Sequence, residues 1–238
     1  MLDFMVIAAH PDDAEVQMGG TTAKLVGQGR RGLFVDLCDG EPSDFAERGE
    51  RRRQAERAAA LLGVERLMLG FQDRFIQDDI ATRLAVARVI RARRPRWVFS
   101  TSGAQVHPDH AAMEAIARAA VFYARLDRWG EVPGGELLVE SAPWEVERLF
   151  FPHCKLEPAW GDFAFAVDVS ETYPLKQRAL AEYRSIFAVD QGDRLLQLYE
   201  AEDAHMGRLV GVRYAEVFRS LSPLLVEDPS VFGPGVHA

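Results

Sequence analysis

Cysteine is nearly absent. The 238-residue chain carries only Cys38 and Cys154, far apart and with no Cys-x-x-Cys spacing. That argues against a disulfide framework and a thiolate metal cage, and both thiols are expected to be reduced packing residues. No apolar run approaches the ~20 residues needed to cross a bilayer. Met1-Leu2-Asp3 leads straight into a strand pattern, without the basic, apolar and small-residue segments of a signal peptide. A cytoplasmic protein with no membrane partner is expected. Positive charge is also in deficit: the formal net charge of -8 argues against a nucleic-acid surface. Internal repeats, low-complexity tracts and linker-like stretches are all missing, so residues 1–238 are read as a single domain. What is present, 48% hydrophobic against 27% charged residues, suffices for a full-sized globular core.

The first half alternates strand and helix patterns. Strands are expected at 4–9, 33–38, 66–69 and 96–100, and helices at 14–29, 47–62, 80–93 and 111–126. Such alternation implies a mostly parallel sheet with right-handed crossovers, an α/β fold of the doubly wound, Rossmann-like three-layer kind. In that order strands 1 and 4 are neighbours, and the crevice at their carboxyl ends is the switch point where ligands bind. The second half is less regular. Residues 130–143 read as a long surface excursion, and strands are expected at 148–151 and 163–169, joined through His153, Pro158 and Trp160. Helices follow at 172–187 and 194–211, and the tail from Ser222 is expected to be extended.

Two tetrads organise the chemistry. His10-Pro11-Asp12-Asp13 follows strand 1, and His107-Pro108-Asp109-His110 lies shortly beyond strand 4. A residue before proline is pushed out of the α region, so His10 and His107 belong on extended backbone above strand ends. Two imidazoles and one carboxylate suit Zn²⁺ with an open position for water. The same set also holds non-haem iron in oxygenases. His10, His110 and one of the adjacent carboxylates, Asp12 or Asp13, form the expected ligand set, and the spare carboxylate is the candidate base for the water. A charged His107 held by Asp109 would stabilise an oxyanion. Gly19-Gly20 does not make a dinucleotide turn, because His-Pro-Asp-Asp occupies the place where Gly-x-Gly-x-x-Gly would follow strand 1. It reads instead as a cap or a close backbone approach. In the run Arg48, Arg51, Arg52, Arg53 and Arg57, Arg53 is the expected contact for an anionic substrate. His153 is a further candidate at the rim.

With these residues the chain resembles the LmbE/PIG-L-like family of zinc-dependent N-acetylglucosamine deacetylases. Ala9 to Glu15 with Gly19-Gly20 is similar to the family's first motif, and His107 to His110 to its second. The resemblance implies His10, Asp13 and His110 as ligands of one Zn²⁺ per chain (Fe²⁺ being an alternative), Asp12 as base, and His107 with Asp109 as the oxyanion pair. Within the family the chain looks similar to the bacillithiol branch, which deacetylates N-acetylglucosaminyl malate. Arg53-x-x-Glu56, Asp73 and Tyr183-Arg184-Ser185-x-Phe187 carry that similarity. Arg53, Asp73 and His153 are the implied substrate contacts. Arg74 stands where the family has Gly, Ile186 where it has Gln, and the loops after Gly40 and Thr101 also depart. The resemblance implies a small N-acetylated sugar as substrate and a homo-oligomer, a hexamer among the expected forms. Deacetylation of another N-acetylated sugar or small amide, and an iron oxygenase on the same ligands, are the alternatives.

Overall fold

β1 (Leu2–Ala8) is buried along almost its whole length, and its side chains feed two separate cores. Phe4, Val6 and Ala8 enter one; Met5, Ile7 and Ala9 enter the other. A strand apolar on both faces needs a layer on each side, which crossover helices supply. The computed structural model describes residues 1–42, 47–103, 107–155, 163–187 and 193–228. After β1 come α1 (Asp13–Gly27), β2 (Gly32–Cys38), α2 (Glu50–Leu62), β3 (Glu65–Phe71), α3 (Ile80–Arg93), β4 (Pro95–Ser100) and α4 (Pro108–Arg125). β1 pairs in parallel with β2 on one side and β4 on the other. α1 and α2 cover one face, through Val16, Met18, Ala58 and Leu62. α3 and α4 cover the other, through Val86, Ile90, Met113 and Ile116.

Local chemistry fixes the helix ends. α3 opens on a capping box: Thr82 N–H donates to Asp79 Oδ1 (2.9 Å) and Asp79 N–H to Thr82 Oγ1 (3.2 Å). It stops where Arg94 turns left-handed ahead of Pro95. α1 is kinked, with Met18 at φ -149° and ψ 28°. Past the kink the N–H groups of Gly20 and Thr21 donate to the Glu216 carboxylate, at 3.0 and 2.6 Å. Gly20 is a close approach: a Cβ there would lie 2.7 Å from Val169 Cβ.

The second half contains α5 (Glu136–Val139), β5 (Arg148–Pro152), β6 (Phe165–Asp168), α6 (Tyr173–Ala181), α7 (Arg184–Phe187), α8 (Arg194–Leu209) and β7 (Ala215–Ser220). The sheet runs β3-β2-β1-β4-β5-β7-β6. β5 is parallel to β4, and β7 lies antiparallel between β5 and β6. Three expectations change here. β7 is a strand where none was expected. The helix expected at 172–187 is two, α6 and α7. The 130–143 excursion is docked rather than free, because Leu138 is fully buried and buried Arg91 donates to the carbonyls of Ala124, Leu126, Leu138 and Ser141. The joining stretch with Pro158 and Trp160, and Ala104-Gln105 before the second tetrad, lie outside the described residues. No helix among the described residues is long and apolar enough to cross a membrane.

Candidate active site

Both tetrads meet at the carboxyl ends of β1 and β4. Asp12 sits at φ 111°, a conformation that non-glycine residues hold only where surrounding contacts impose it. The turn sends the two adjacent carboxylates apart. Asp12 makes no capping bond to α1; its Oδ2 accepts from Arg51 Nη2 at 3.1 Å, and the same nitrogen donates to Pro11 O. Asp13 turns inward, accepting the His10 N–H at Oδ2 (2.9 Å). His107 caps α4, its Nδ1 accepting the Asp109 N–H at 3.2 Å. That leaves Nε2–H as the donor of a neutral His107 ring.

Three residues converge. His10 Nδ1 lies 3.1 Å from His110 Nε2, His110 Nε2 3.2 Å from Asp13 Oδ1, and His10 Nδ1 3.5 Å from Asp13 Oδ2. Ligands at ~2.0–2.1 Å on one tetrahedral ion stand roughly 3.3 Å apart, so the spacing of these three residues fits a metal, with one Asp13 oxygen facing each imidazole. The far nitrogen of His10 faces carboxylates, Nε2 lying 3.0 Å from Asp109 Oδ2 and 3.1 Å from Asp73 Oδ1. Carboxylates in that place fix a ligand imidazole's tautomer and orientation. Asp109 Oδ2 is 4.0 Å from His107 Nδ1 and also accepts the Arg74 N–H (2.9 Å). The Asp109 carboxylate thus lies nearer to His10 than to His107. Arg74 makes that bond from φ 70°, a left-handed position that glycine adopts without strain; this accounts for the family's Gly.

Electrostatics separates the two aspartates. Burial, opposed by the Arg51 guanidinium, pushes the Asp12 carboxyl up to about 7. Burial acts on Asp13 too, but the imidazoles of His110 and His10 outweigh it and hold its carboxyl well below the usual range. Burial disfavours a charged His10, yet its bonds to Asp13 and Asp73 prevail and raise it to about 10. His107 is lowered, by burial and by the neighbouring His10.

A cleft of about 190 Å³ opens over these groups, lined further by Val16, Gln17, Arg51, Cys154, Lys155, Phe187 and Tyr199. Of the expected substrate contacts, none lines it. Arg53 is turned outward, its side chain 54% exposed and paired with Glu50; Asp73 is buried behind His10. His153 packs on Phe163, and burial together with Lys155 lowers it to about 4. Sequence reasoning missed Arg51, although it lies in the same arginine run. Residues two apart on a helix point to different sides, so the phase of α2 decides which arginine enters. It also missed Lys155 and Tyr199, brought in from β5's end and α8 with no local motif to mark them. Behind the cleft, Arg66 ties Glu15 (2.5 Å) to Asp36 (2.5 Å), and the Tyr183 hydroxyl donates to Glu15 at 2.9 Å. The Glu of the first motif and the Tyr of the late one therefore form one buried support beneath the Asp12-Asp13 turn.

The PIG-L family model, described as GlcNAc-PI de-N-acetylase, matches residues 5–121, a span that contains both tetrads. Diacetylchitobiose deacetylase of Thermococcus kodakarensis is 26% identical over 226 residues, 90% of this chain and 81% of that protein. The 1D-myo-inositol 2-acetamido-2-deoxy-alpha-D-glucopyranoside deacetylase of Nocardiopsis dassonvillei is 28% identical over 183 residues, covering 61% of this chain and 61% of its own length. Among solved structures, the conserved protein TT1542 of Thermus thermophilus superposes with a TM-score of 0.86 at 35% identity, over 97% of this chain and 99% of that one. With both tetrads inside the matched span and the fold shared end to end, the chain belongs to the PIG-L family and is an enzyme of its deacetylase class.

Proposed function

We propose that the protein is a Zn²⁺-dependent hydrolase that removes the acetyl group from N-acetylglucosamine-containing sugars. The observation that carries this reading is the division of labour at the Asp12-Asp13 turn. One carboxylate joins two imidazoles as a three-atom metal cradle, and its neighbour stands aside, buried, with a carboxyl at about 7. His10, Asp13 and His110 would hold the ion; when bound, it supplies Lewis-acid polarisation of the amide carbonyl and a water more acidic than bulk.

The chain's own groups complete the reaction. Asp12 takes the proton of the attacking water as the new C–O bond forms; a carboxyl near 7 suits a base working at neutral pH. Arg51 holds that carboxylate in place through its 3.1 Å bond. His107, neutral and donating from Nε2, faces the oxygen on which negative charge collects. Asp12 then returns the proton to the nitrogen as the C–N bond breaks, leaving acetate and the free amine. The substrate assignment is supported by the relatives' acetamido-sugar substrates. The test is a screen of metal-loaded and metal-stripped enzyme over N-acetylglucosamine glycosides, following free amine. Release by the loaded form alone is expected; none from any glycoside would refute the reading.

A further inference from the structure

Away from the metal cradle, four buried charges form a line that ends at the cleft. Lys155, 3% exposed, lines its wall. Its Nζ donates to Asp203 Oδ1 at 2.5 Å. Asp203 Oδ2 accepts from Lys176 Nζ (2.7 Å), and Lys176 Nζ also donates to Glu216 Oε1 (2.7 Å). Glu216 in turn takes the two N–H groups freed past the kink of α1. Asp203, Lys176 and Glu216 are fully buried. Apolar packing of the same volume would be as stable as such a network, or more so, so stability alone does not explain it.

We propose that Lys155 is a specificity-determining residue that donates to uncharged oxygens of the substrate, with Asp203, Lys176 and Glu216 as the positioning residues that hold it. This rests on the deacetylase reading above and names the kind of sugar the cleft takes. Three features support it. An ammonium has three donors, and among the described residues Nζ spends one, on Asp203. Lys155 itself lines the cleft, and its other two donors are available to a ligand there. The quartet is also charge-balanced, two lysines against two carboxylates. A hydroxyl can accept from Lys155 without disturbing that balance, whereas a carboxylate brought into the same buried place would be uncompensated. The Arg51–Asp12 pair across the cleft is balanced in the same way. Arg51, on the helix after β2, and Lys155, after β5, line the cleft from the two sides of the donors that follow β1 and β4. The cleft therefore selects neutral glycosides over acidic ones such as a malate conjugate.

The test compares metal-loaded wild type, Lys155→Met and Lys155→Gln on an N-acetylglucosamine glycoside, its 3-, 4- and 6-deoxy analogues and its malate conjugate. Lys155→Met should raise KM by roughly 10- to 100-fold, the worth of one charged hydrogen bond, with kcat and metal content largely kept and Tm lowered, because Asp203 loses one of its two buried cations. One deoxy analogue should be poor for wild type and no worse for Lys155→Met, because both changes delete the same bond. Lys155→Gln retains a donor and a partner for Asp203; it should fall between the two, and it carries the test if Lys155→Met does not fold. Additive losses on every analogue, an unchanged KM, or a wild-type preference for the malate conjugate would overturn the proposal. If wild type releases amine from none of these, the deacetylase reading fails by itself. Calorimetric Kd values for the matching glucosamine glycosides then decide Lys155 independently: a Kd unaltered in Lys155→Met overturns it.

Discussion

Replacing Asp12 by Asn should leave a metal-replete, nearly inactive enzyme. The substitution is mild by design. Asn tolerates the left-handed side of φ space about as well as Asp, and its carbonyl oxygen can still accept the 3.1 Å bond from Arg51. Asp12 contributes no atom to the three-donor cradle, so metal stoichiometry by elemental analysis should match wild type. What disappears is the carboxylate aligned with Arg51, and with it the proton acceptor. Loss of a general acid–base costs ~10²–10⁴ in rate, or about 2.7–5.5 kcal/mol of barrier, read as amine release at saturating Zn²⁺. Asp13→Ala removes a cradle atom 3.2 Å from His110 Nε2 and the acceptor of the His10 N–H. Its metal content should fall sharply, with activity partly restored by excess Zn²⁺. A metal-poor Asp12→Asn beside a metal-replete Asp13→Ala would reverse the two roles and refute the mechanism.

Asp109→Ala, which strips a carboxylate from the far nitrogen of His10, should weaken metal affinity ~10–100-fold; equal affinities in equilibrium dialysis would deny it that role. With a base near 7 in the metal-free site and a cation drawing it down, kcat/KM should fall on acidification along a limb lying between the ordinary 3.8 and 7; activity that rises as pH falls contradicts an ionised Asp12. Ligation needs His10 neutral at Nδ1, while its protonated form persists to about 10 without metal. Zn²⁺ binding should therefore release a proton and weaken roughly tenfold per pH unit of acidification. In the metal-free protein the same raised value stabilises the fold fully below 6.5, and that contribution fades as pH climbs toward 10; a flat Tm across that interval counts against it. Gly20→Ala forces a Cβ to 2.7 Å from Val169 and should cost ~1–3 kcal/mol, each kcal/mol lowering Tm by about 2–4 °C; an unchanged melt would show that the helix crossing yields freely.

The parts of the fold legible in the sequence were those whose burial is uniform. β1 and β2 are buried almost throughout on both faces, β4 is buried over Val98 to Ser100, and α3 carries its stop signal in Pro95. Its expected bounds, 80–93, match those observed. β7 was hidden because Glu216, a buried charge, interrupts its apolar pattern; only Lys176 and the N–H groups of Gly20 and Thr21 explain it. Within the site, the tetrads marked the metal cradle, but two His and one carboxylate do not by themselves separate a zinc hydrolase from an iron oxygenase. The cleft walls were illegible for another reason. Arg51 against Arg53 is a matter of helix phase. Lys155 and Tyr199 arrive from segments far apart in the chain, and Asp109's attachment to His10 depends on how α4 is set against β1.

β7, the last strand among the described residues, lies between β5 and β6 in the sheet, so the sheet is completed late in synthesis. All three cradle residues have been made by residue 110, whereas Glu216 follows more than a hundred residues later. At ~5–20 residues per second that interval is on the order of 5–20 s. In its later part, once both are made, β5 and β6 lack the strand that pairs between them, and Lys176 waits for both of its carboxylates, Asp203 and Glu216. The late arrival of β7 thus joins β5 to β6 and pins the kinked helix whose first turn carries Asp13.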